Sequence, residues 1–309
     1  MVLYLSLLSV GNKKLVFNWN ISSIKFISIR TKCSANALSI GSKFIPILNM
    51  IDTHTHIYSS RFDEDRDKVI NTAFQSGVKF MLLPNIDLES IEPMLNLCSE
   101  YDRCIPMMGL HPCAVDEKYL ETLELIKNKL LHASHQFIAV GEIGIDLYWD
   151  KTFLKQQLDA FRNQIKWAKE LNLPIVIHAR DSYPEIFEVL DEENTEELRG
   201  VFHCFSGSLG DAKHILSYGG FKLGIGGTIT YKKSDLPAII KGIDLSHILL
   251  ETDAPYLAPR PYRGKRNESK YLTYVVEKLS EIYECNETEI IDRTTINAND
   301  LFQIQKFTS

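Results

Sequence analysis

MIDTHTHIYS, Met50–Ser59, places His54 and His56 two residues apart, directly behind the apolar pair Met50 and Ile51. In an extended strand, residues i and i+2 point to the same side, so both imidazoles would leave one strand end together. A metal ion can use that spacing. Histidine pairs in surface loops are common, however, and the pair decides nothing until other strand ends supply partners.

From Met50 onward the chain repeats one rhythm: a short apolar run, a turn, then a helix-length amphipathic stretch. The apolar runs are Val78–Leu83, Ile105–Leu110, Phe137–Ile143, Pro174–Ile177, Val201–Phe205, Phe221–Ile225 and Ile248–Leu250, and Ile51 leads them. Helices are predicted over Glu64–Gln75, Leu88–Tyr101, Glu117–His132, Phe153–Leu171, Pro184–Glu193 and Leu209–Tyr218. In Phe153–Leu171 the residues Leu154, Leu158, Phe161, Ile165, Ala168 and Leu171 recur at steps of three and four and form one stripe, with Asn172 and Pro174 ending the helix.

Strands alternating with helices imply a parallel sheet, and about eight strands are what a TIM (β/α)8 barrel requires. No GxGxxG follows the first strand, which argues against an open doubly wound sheet. Gly224, Gly226 and Gly227 fit a tight strand end better than a phosphate cradle. No linker divides residues 50–305, which read as one barrel domain.

In such a barrel the site lies at the C-terminal ends of the strands. The runs deliver His54 and His56; His111; Glu142 and Asp146; His178, Arg180 and Asp181; His203; and Glu251 and Asp253. Several imidazoles and carboxylates converging on one mouth make a metal site, with more ligands than one tetrahedral zinc uses. Two divalent ions bridged by a carboxylate would use them all. His111 reads as substrate-facing rather than as a ligand, and Asp146 as a turn residue. Glu251 either shares the face of Asp253 or points away. His132, His135, His214 and His247 fall on helices or helix ends and read as surface residues.

Composition narrows the function. The 309 residues are 45% hydrophobic and 24% charged, as expected of a soluble globular protein. A net charge of -6 excludes a long basic face coating a duplex, while leaving room for a few phosphate contacts. The six cysteines contain no CxxC, which fits reduced thiols, and Cys113 and Cys204 read as packing residues despite their nearness to the site.

Residues 1–49 differ from the rest: they hold no Asp or Glu but carry Lys13, Lys14, Lys25, Arg30, Lys32 and Lys43. The favoured reading is a basic, disordered extension upstream of an effective start at Met50. An organelle-targeting peptide is the second reading and a weak membrane-surface anchor the third. A cytoplasmic location is expected, with an organelle as the alternative if residues 1–49 are a transit peptide.

The pieces IDTHTH, GLHP, GEIGID, PIVIHARD, FHCFSG, KLGIGG, LLETDAPYLAP and PYRGKRNES occur together and in this order from Met50 to Phe302. In them the chain resembles the TatD family of metal-dependent deoxyribonucleases, within the amidohydrolase superfamily. The resemblance implies a β/α barrel with two divalent ions (Mg, Mn or Zn). It implies that His54, His56 and Asp253 hold one ion, His178 and His203 the other, and that Glu142 bridges them. It also suggests exonucleolytic cleavage from the 3′ end of single-stranded DNA.

On that reading, Asp253 is the candidate general base toward the attacking water, with Glu142 completing the catalytic pair. Arg180 and the stretch Arg260–Lys270, whose cations interleave with Tyr256, Tyr262 and Tyr271, sit at the rim. Aromatics beside cations suit single strands, where bases stack and phosphates pair with charge. Arg180, Arg263, Asn267, His111 and Tyr256 are therefore the expected substrate contacts. DNA is the expected partner, RNA a second polymer, with no stable membrane association and a monomer favoured. Two other readings compete: hydrolysis of an ester or amide, such as deacylation of D-aminoacyl-tRNA, and a non-catalytic metal-binding adaptor.

Overall fold

The computed structural model describes residues 49–132 and 137–307. Strands and helices alternate along them. The order is β1 (Met50–Asp52), α1 (Arg66–Gln75), β2 (Val78–Leu83), α2 (Leu88–Glu100), β3 (Cys104–Pro106) and α3 (Tyr119–His132). It continues with β4 (Val140–Asp146), α4 (Leu154–Leu171), β5 (Ile175–Arg180), α5 (Tyr183–Glu193), β6 (Gly200–Phe202) and α6 (Leu209–Ser217). Then come β7 (Phe221–Ile225), α7 (Leu236–Ile240), β8 (Ile248–Leu250), α8 (Leu272–Tyr283) and α9 (Glu287–Phe302).

All strand pairs are parallel, in the orders β1-β2-β3 and β4-β5-β6-β7-β8. The backbone bridges both seams between these sheets. Met108 pairs with Val140 across one, where Gly141 N–H donates to Met108 O at 3.1 Å. Across the other, Thr55 pairs with Ala254, Thr53 N–H donates to Leu250 O at 3.0 Å and Asp253 N–H to His54 O at 2.8 Å. The fold is a TIM barrel.

Pleating sorts the side chains. Ile51, Val176, Val201 and Leu249 belong to an inner cluster, while Met50, Ile175, Ile177, Phe202, Ile248 and Leu250 pack outward against the helices. Two residues beyond Val176, Val201 and Leu249 come His178, His203 and Glu251, so the same alternation that fills the interior aims these groups into the mouth. Helix α9, absent from the predicted elements together with α7 and α8, packs Ala298, Leu301 and Phe302 against the inner cluster.

Several boundaries differ from expectation: β5 runs through Arg180 rather than ending at Ile177, and β6 ends at Phe202 rather than Phe205. β3 ends at Pro106, after which pairing turns irregular. β4 runs three residues further than predicted, through Asp146, because Asp146 stays in register with Arg180 of β5. Helix α4 buries Phe161, Ile165 and Ala168 as predicted, but Leu171 is exposed and Gln157 and Gln164 are buried. Each glutamine clasps a backbone: Gln164 Oε1 accepts Leu110 N–H at 2.7 Å, and Gln157 Oε1 accepts Asp146 N–H at 2.9 Å. Lying seven residues apart, two turns of one face, they anchor two strand ends to one helix.

Candidate metal centre

Glu142 stands at the middle of the mouth, buried on β4. Its Oε2 lies 3.1 Å from His54 Nε2 and 3.6 Å from His56 Nε2. Its Oε1 lies 2.8 Å from His178 Nδ1, 2.9 Å from His203 Nε2 and 3.3 Å from His111 Nε2. Asp253 Oδ1 adds a second carboxylate, 3.5 Å from His56 Nε2 and 3.8 Å from His54 Nε2. The two oxygens of Glu142 thus face two different sets of imidazoles.

Glycines make this convergence possible. Gly144 has φ +138 and pairs with His178; a Cβ there would sit 2.1 Å from His178 O. A Cβ on Gly224 would sit 2.1 Å from Glu251 Oε2. Cys204 and Asp253 take positive φ of 47° and 56°, which is costly for residues with a Cβ and turns the chain sharply at two strand ends.

Outer hydrogen bonds set the tautomers. Tyr58 O–H donates to Pro84 O at 2.7 Å, so its oxygen accepts from His56 Nδ1–H at 3.0 Å and the lone pair of His56 Nε2 faces the site. Asp146 Oδ2 lies 2.9 Å from His178 Nε2 and can only accept, which leaves the Nδ1 lone pair toward Glu142. His111 is reversed. Its Nδ1 accepts Cys113 N–H at 3.0 Å, so its proton sits on Nε2 and points at Glu142. With its proton there, His111 donates into the site. Behind His203, Glu251 Oε1 lies 3.6 Å from Nδ1 and accepts Cys204 N–H at 2.5 Å.

The donor set fits divalent cations. Two imidazole nitrogens, His54 Nε2 and His56 Nε2, stand 3.3 Å apart, and the His178 Nδ1 lone pair faces a carboxylate oxygen. Buried lone pairs facing one another repel unless protons or cations lie between them. Ligand atoms of His54, His56 and Glu142 lie within 4.8 Å of one another.

The titration behaviour has the same cause. Burial would raise Glu142, but the charges of His203, His111 and His54 outweigh it and hold the carboxyl well below its usual range. Burial would lower His203, yet the carboxylates of Glu142 and Glu251 hold it well above its ordinary value. His54 is pushed down by burial and then by His203. Asp146, despite burial, is drawn down to about 2, chiefly by its hydrogen bond from His178. Burial, then Asp253 and Glu251, raise the Cys204 thiol well above its usual value, so it stays neutral and is a poor ligand.

The profile of the family described as "TatD related DNase" matches residues 51–303. The chain belongs to the TatD family. It is 38% identical over 256 residues to the uncharacterized metal-dependent hydrolase YabD of Bacillus subtilis (strain 168), covering 82% of this chain and 99% of that one. It is 31% identical over 262 residues to the 3′-5′ ssDNA/RNA exonuclease TatD of Erwinia tasmaniensis, covering 82% and 100% of the two chains. Among solved structures, YjjV, a TatD homolog from Escherichia coli K12, superposes with a TM-score of 0.78 at 31% identity, covering 83% of this chain and 99% of that one. This TatD-family protein is a metal-dependent hydrolase.

Around the centre, the residues expected at the rim fall into two groups. Arg180 is exposed, its guanidinium 3.8 Å from the ring centre of Tyr148 and 5.3 Å from that of Trp149. Tyr256 lies 6.2 Å from His56 with Arg61 5.1 Å above its ring, and Arg263 lies 4.5 Å above Tyr231. His111 faces inward. Asn267, expected to touch substrate, is instead fully buried. Its amide donates to Thr252 O at 2.7 Å and its oxygen accepts Glu268 N–H at 2.9 Å, so it fastens the rim loop beneath Asp253.

Arg266, in the same loop, is committed to Asp65 at 2.7 Å and to Arg61 O at 2.8 Å. Asp146, read as a turn residue, does accept Tyr148 N–H at 3.0 Å but also orients His178. The alternation Glu142, Gly144, Asp146 along one strand face was its signal. Tyr58, Gln157, Gln164, Tyr148 and Trp149 carried no signal beyond their types. Among the described residues no helix is long and apolar enough to cross a membrane.

Proposed function

We propose that this protein is a 3′-5′ exonuclease that hydrolyses phosphodiester bonds of single-stranded nucleic acid, DNA first and RNA second, with two divalent ions. The observation that carries the reading is the set of cation–aromatic pairs, Arg180–Tyr148 and Arg61–Tyr256 exposed and Arg263 over the half-buried Tyr231, around a buried histidine–carboxylate centre. Such pairs bind phosphate and base face together without reading sequence. The printed activity of the Erwinia tasmaniensis relative supports the choice of polymer and polarity.

His54, His56 and Asp253 would hold one ion, His178 and His203 the other, with Glu142 between them. Ions bound there supply Lewis acidity, acidifying water and offsetting charge on the phosphoryl oxygens. The chain supplies the rest. Burial would raise Asp253, but its close neighbour His56 and the nearby histidine charges lower it, so it is ionised at neutral pH. With its side chain 14% exposed, it can meet water and accept a proton from the attacking molecule. His111 Nε2–H, 3.3 Å from Glu142, would donate to the leaving oxygen. Arg180 and Arg263 hold the flanking phosphates.

The test is hydrolysis of end-labelled single-stranded DNA, duplex DNA, RNA and an aminoacyl ester by metal-stripped protein reloaded separately with Mg, Mn or Zn. Stepwise release of mononucleotides from the 3′ end, lost in Glu142→Ala and Asp253→Ala, is expected. Ester hydrolysis without phosphodiester cleavage would reject the reading.

A further inference from the structure

Trp149 is 71% exposed and Tyr148 53% exposed, on the loop between β4 and α4. Large aromatic rings left in water at the edge of a catalytic mouth forgo the burial that stabilises most tryptophans. The two rings meet edge to face, with centroids 4.9 Å apart at 89°, and Arg180 lies against both.

Their position is tied to the metal centre through one carboxylate. Asp146 Oδ1 accepts the N–H groups of Tyr148 at 3.0 Å and Trp149 at 3.4 Å. The Oδ2 of the same group holds His178 at 2.9 Å. Arg180 follows His178 by two residues on β5, so its cation leaves the strand on the same side as that imidazole. A ring anchored in this way keeps a constant offset from the reacting phosphate.

Beside Trp149 a cavity of about 350 Å³ opens, lined among others by Cys113, Asp116, Asp150 and Phe153. Its carboxylates repel phosphate but accept hydrogen bonds from exocyclic amines. It therefore suits a base and not the backbone. Two of the three aromatic–cation groups also sit across the mouth from each other: Arg61 and Tyr256 belong to the β1 and β8 ends, and Tyr148, Trp149 and Arg180 to the β4 and β5 ends, half a barrel away.

We propose that Trp149, braced edge-on by Tyr148 and with Arg180 on the adjoining phosphate, forms a nucleobase platform that stacks one base of the substrate beside the scissile bond. This rests on the nuclease reading above and names the nucleotide subsite.

Two measurements test it. In the first, metal-loaded wild type, Trp149→Ala and Trp149→Phe are compared on single-stranded oligonucleotides, intact or abasic at successive positions from the cleaved end. The KM of Trp149→Ala is expected to rise roughly 5- to 100-fold, with Trp149→Phe recovering much of the loss. One abasic position should raise the wild-type KM similarly, and at that position the variant and wild type should converge.

In the second, tryptophan fluorescence is titrated with the same oligonucleotides, with Trp149→Phe reporting the signal of the other indoles. Quenching that vanishes in this variant is expected. Cleavage with KM unchanged in Trp149→Ala and no Trp149 quenching overturns the platform while the nuclease reading stands. Quenching without cleavage upholds the platform and rejects the nuclease. Neither quenching nor cleavage rejects both.

Discussion

The carboxylate of Asp146 accepts the Nε2–H of His178 at 2.9 Å, and that bond leaves the opposite nitrogen, Nδ1, facing Glu142 at 2.8 Å. A carboxylate behind a histidine fixes ring orientation and raises ligand basicity. Asp146→Ala should therefore weaken metal binding by about 10- to 100-fold. Asp146→Asn, which can still accept the Nε2–H, should lose much less. Competition titration with a chelating dye reads the difference.

His111 differs from the other histidines in carrying its proton toward the site. His111→Ala should keep the full metal content by elemental analysis yet lose roughly 100-fold or more in kcat. A variant that loses metal instead would make His111 a ligand and overturn the tautomer argument built on Cys113 N–H.

Metal uptake should depend on pH. The pKa of His203 is held well above its usual value by Glu142 and Glu251, and that of His178 is raised by its bonds to Asp146 and Glu142, in both cases against burial. In the metal-free protein both imidazoles are protonated below their raised pKa values, and a cation must displace those protons. Affinity then rises as pH increases through neutrality, by up to about tenfold per unit for each proton displaced, and levels off above the raised values. Calorimetry in buffers of different ionisation enthalpy should detect proton release.

Gln164 satisfies both the N–H and the C=O of buried Leu110, at 2.7 and 3.2 Å. Gln164→Leu would leave both groups unpaired, at a cost of roughly 1–3 kcal/mol for each. Urea unfolding of the metal-free protein should show a lower midpoint with an unchanged slope.

Asn267 and Arg263 lie four residues apart in one loop but should behave oppositely. Asn267→Ala removes a buried bond to Thr252 O and should destabilise by about 1–3 kcal/mol, reading mainly in thermal unfolding. Arg263→Ala should leave stability unchanged within about 0.5 kcal/mol, as surface substitutions usually do, and raise KM for single-stranded DNA severalfold. The salt dependence of binding should become shallower by close to one unit.

Local pattern alone placed the strands and the residues at their ends. Alternation with period two and the step from apolar runs to His54, His56, Glu142, His178, His203 and Asp253 are properties of short stretches, and an eight-strand barrel brings all strand ends to one mouth. The C-terminal helices went unread although α8 buries a regular stripe of Leu272, Val275, Val276, Leu279 and Ile282; in α9 the polar residues Thr294 and Asn297 interrupt the buried face.

Only the tertiary structure decided which way each imidazole is protonated. That depends on Tyr58, Cys113 and Asp146, whose hydrogen bonds form after the strands are in register. It decided that Asn267 is a buried fastener and that Gln157 and Gln164, outside the apolar stripe read from the sequence, are buried. Their burial is stable only because two strand-end backbones arrive to pair with them. For His54 and His56, the pair that began the reading, sequence supplied a shared side of one strand end. The fold supplied the carboxylates of Glu142 and Asp253, from strands far away in the chain, that make the pair part of a group able to hold a metal ion.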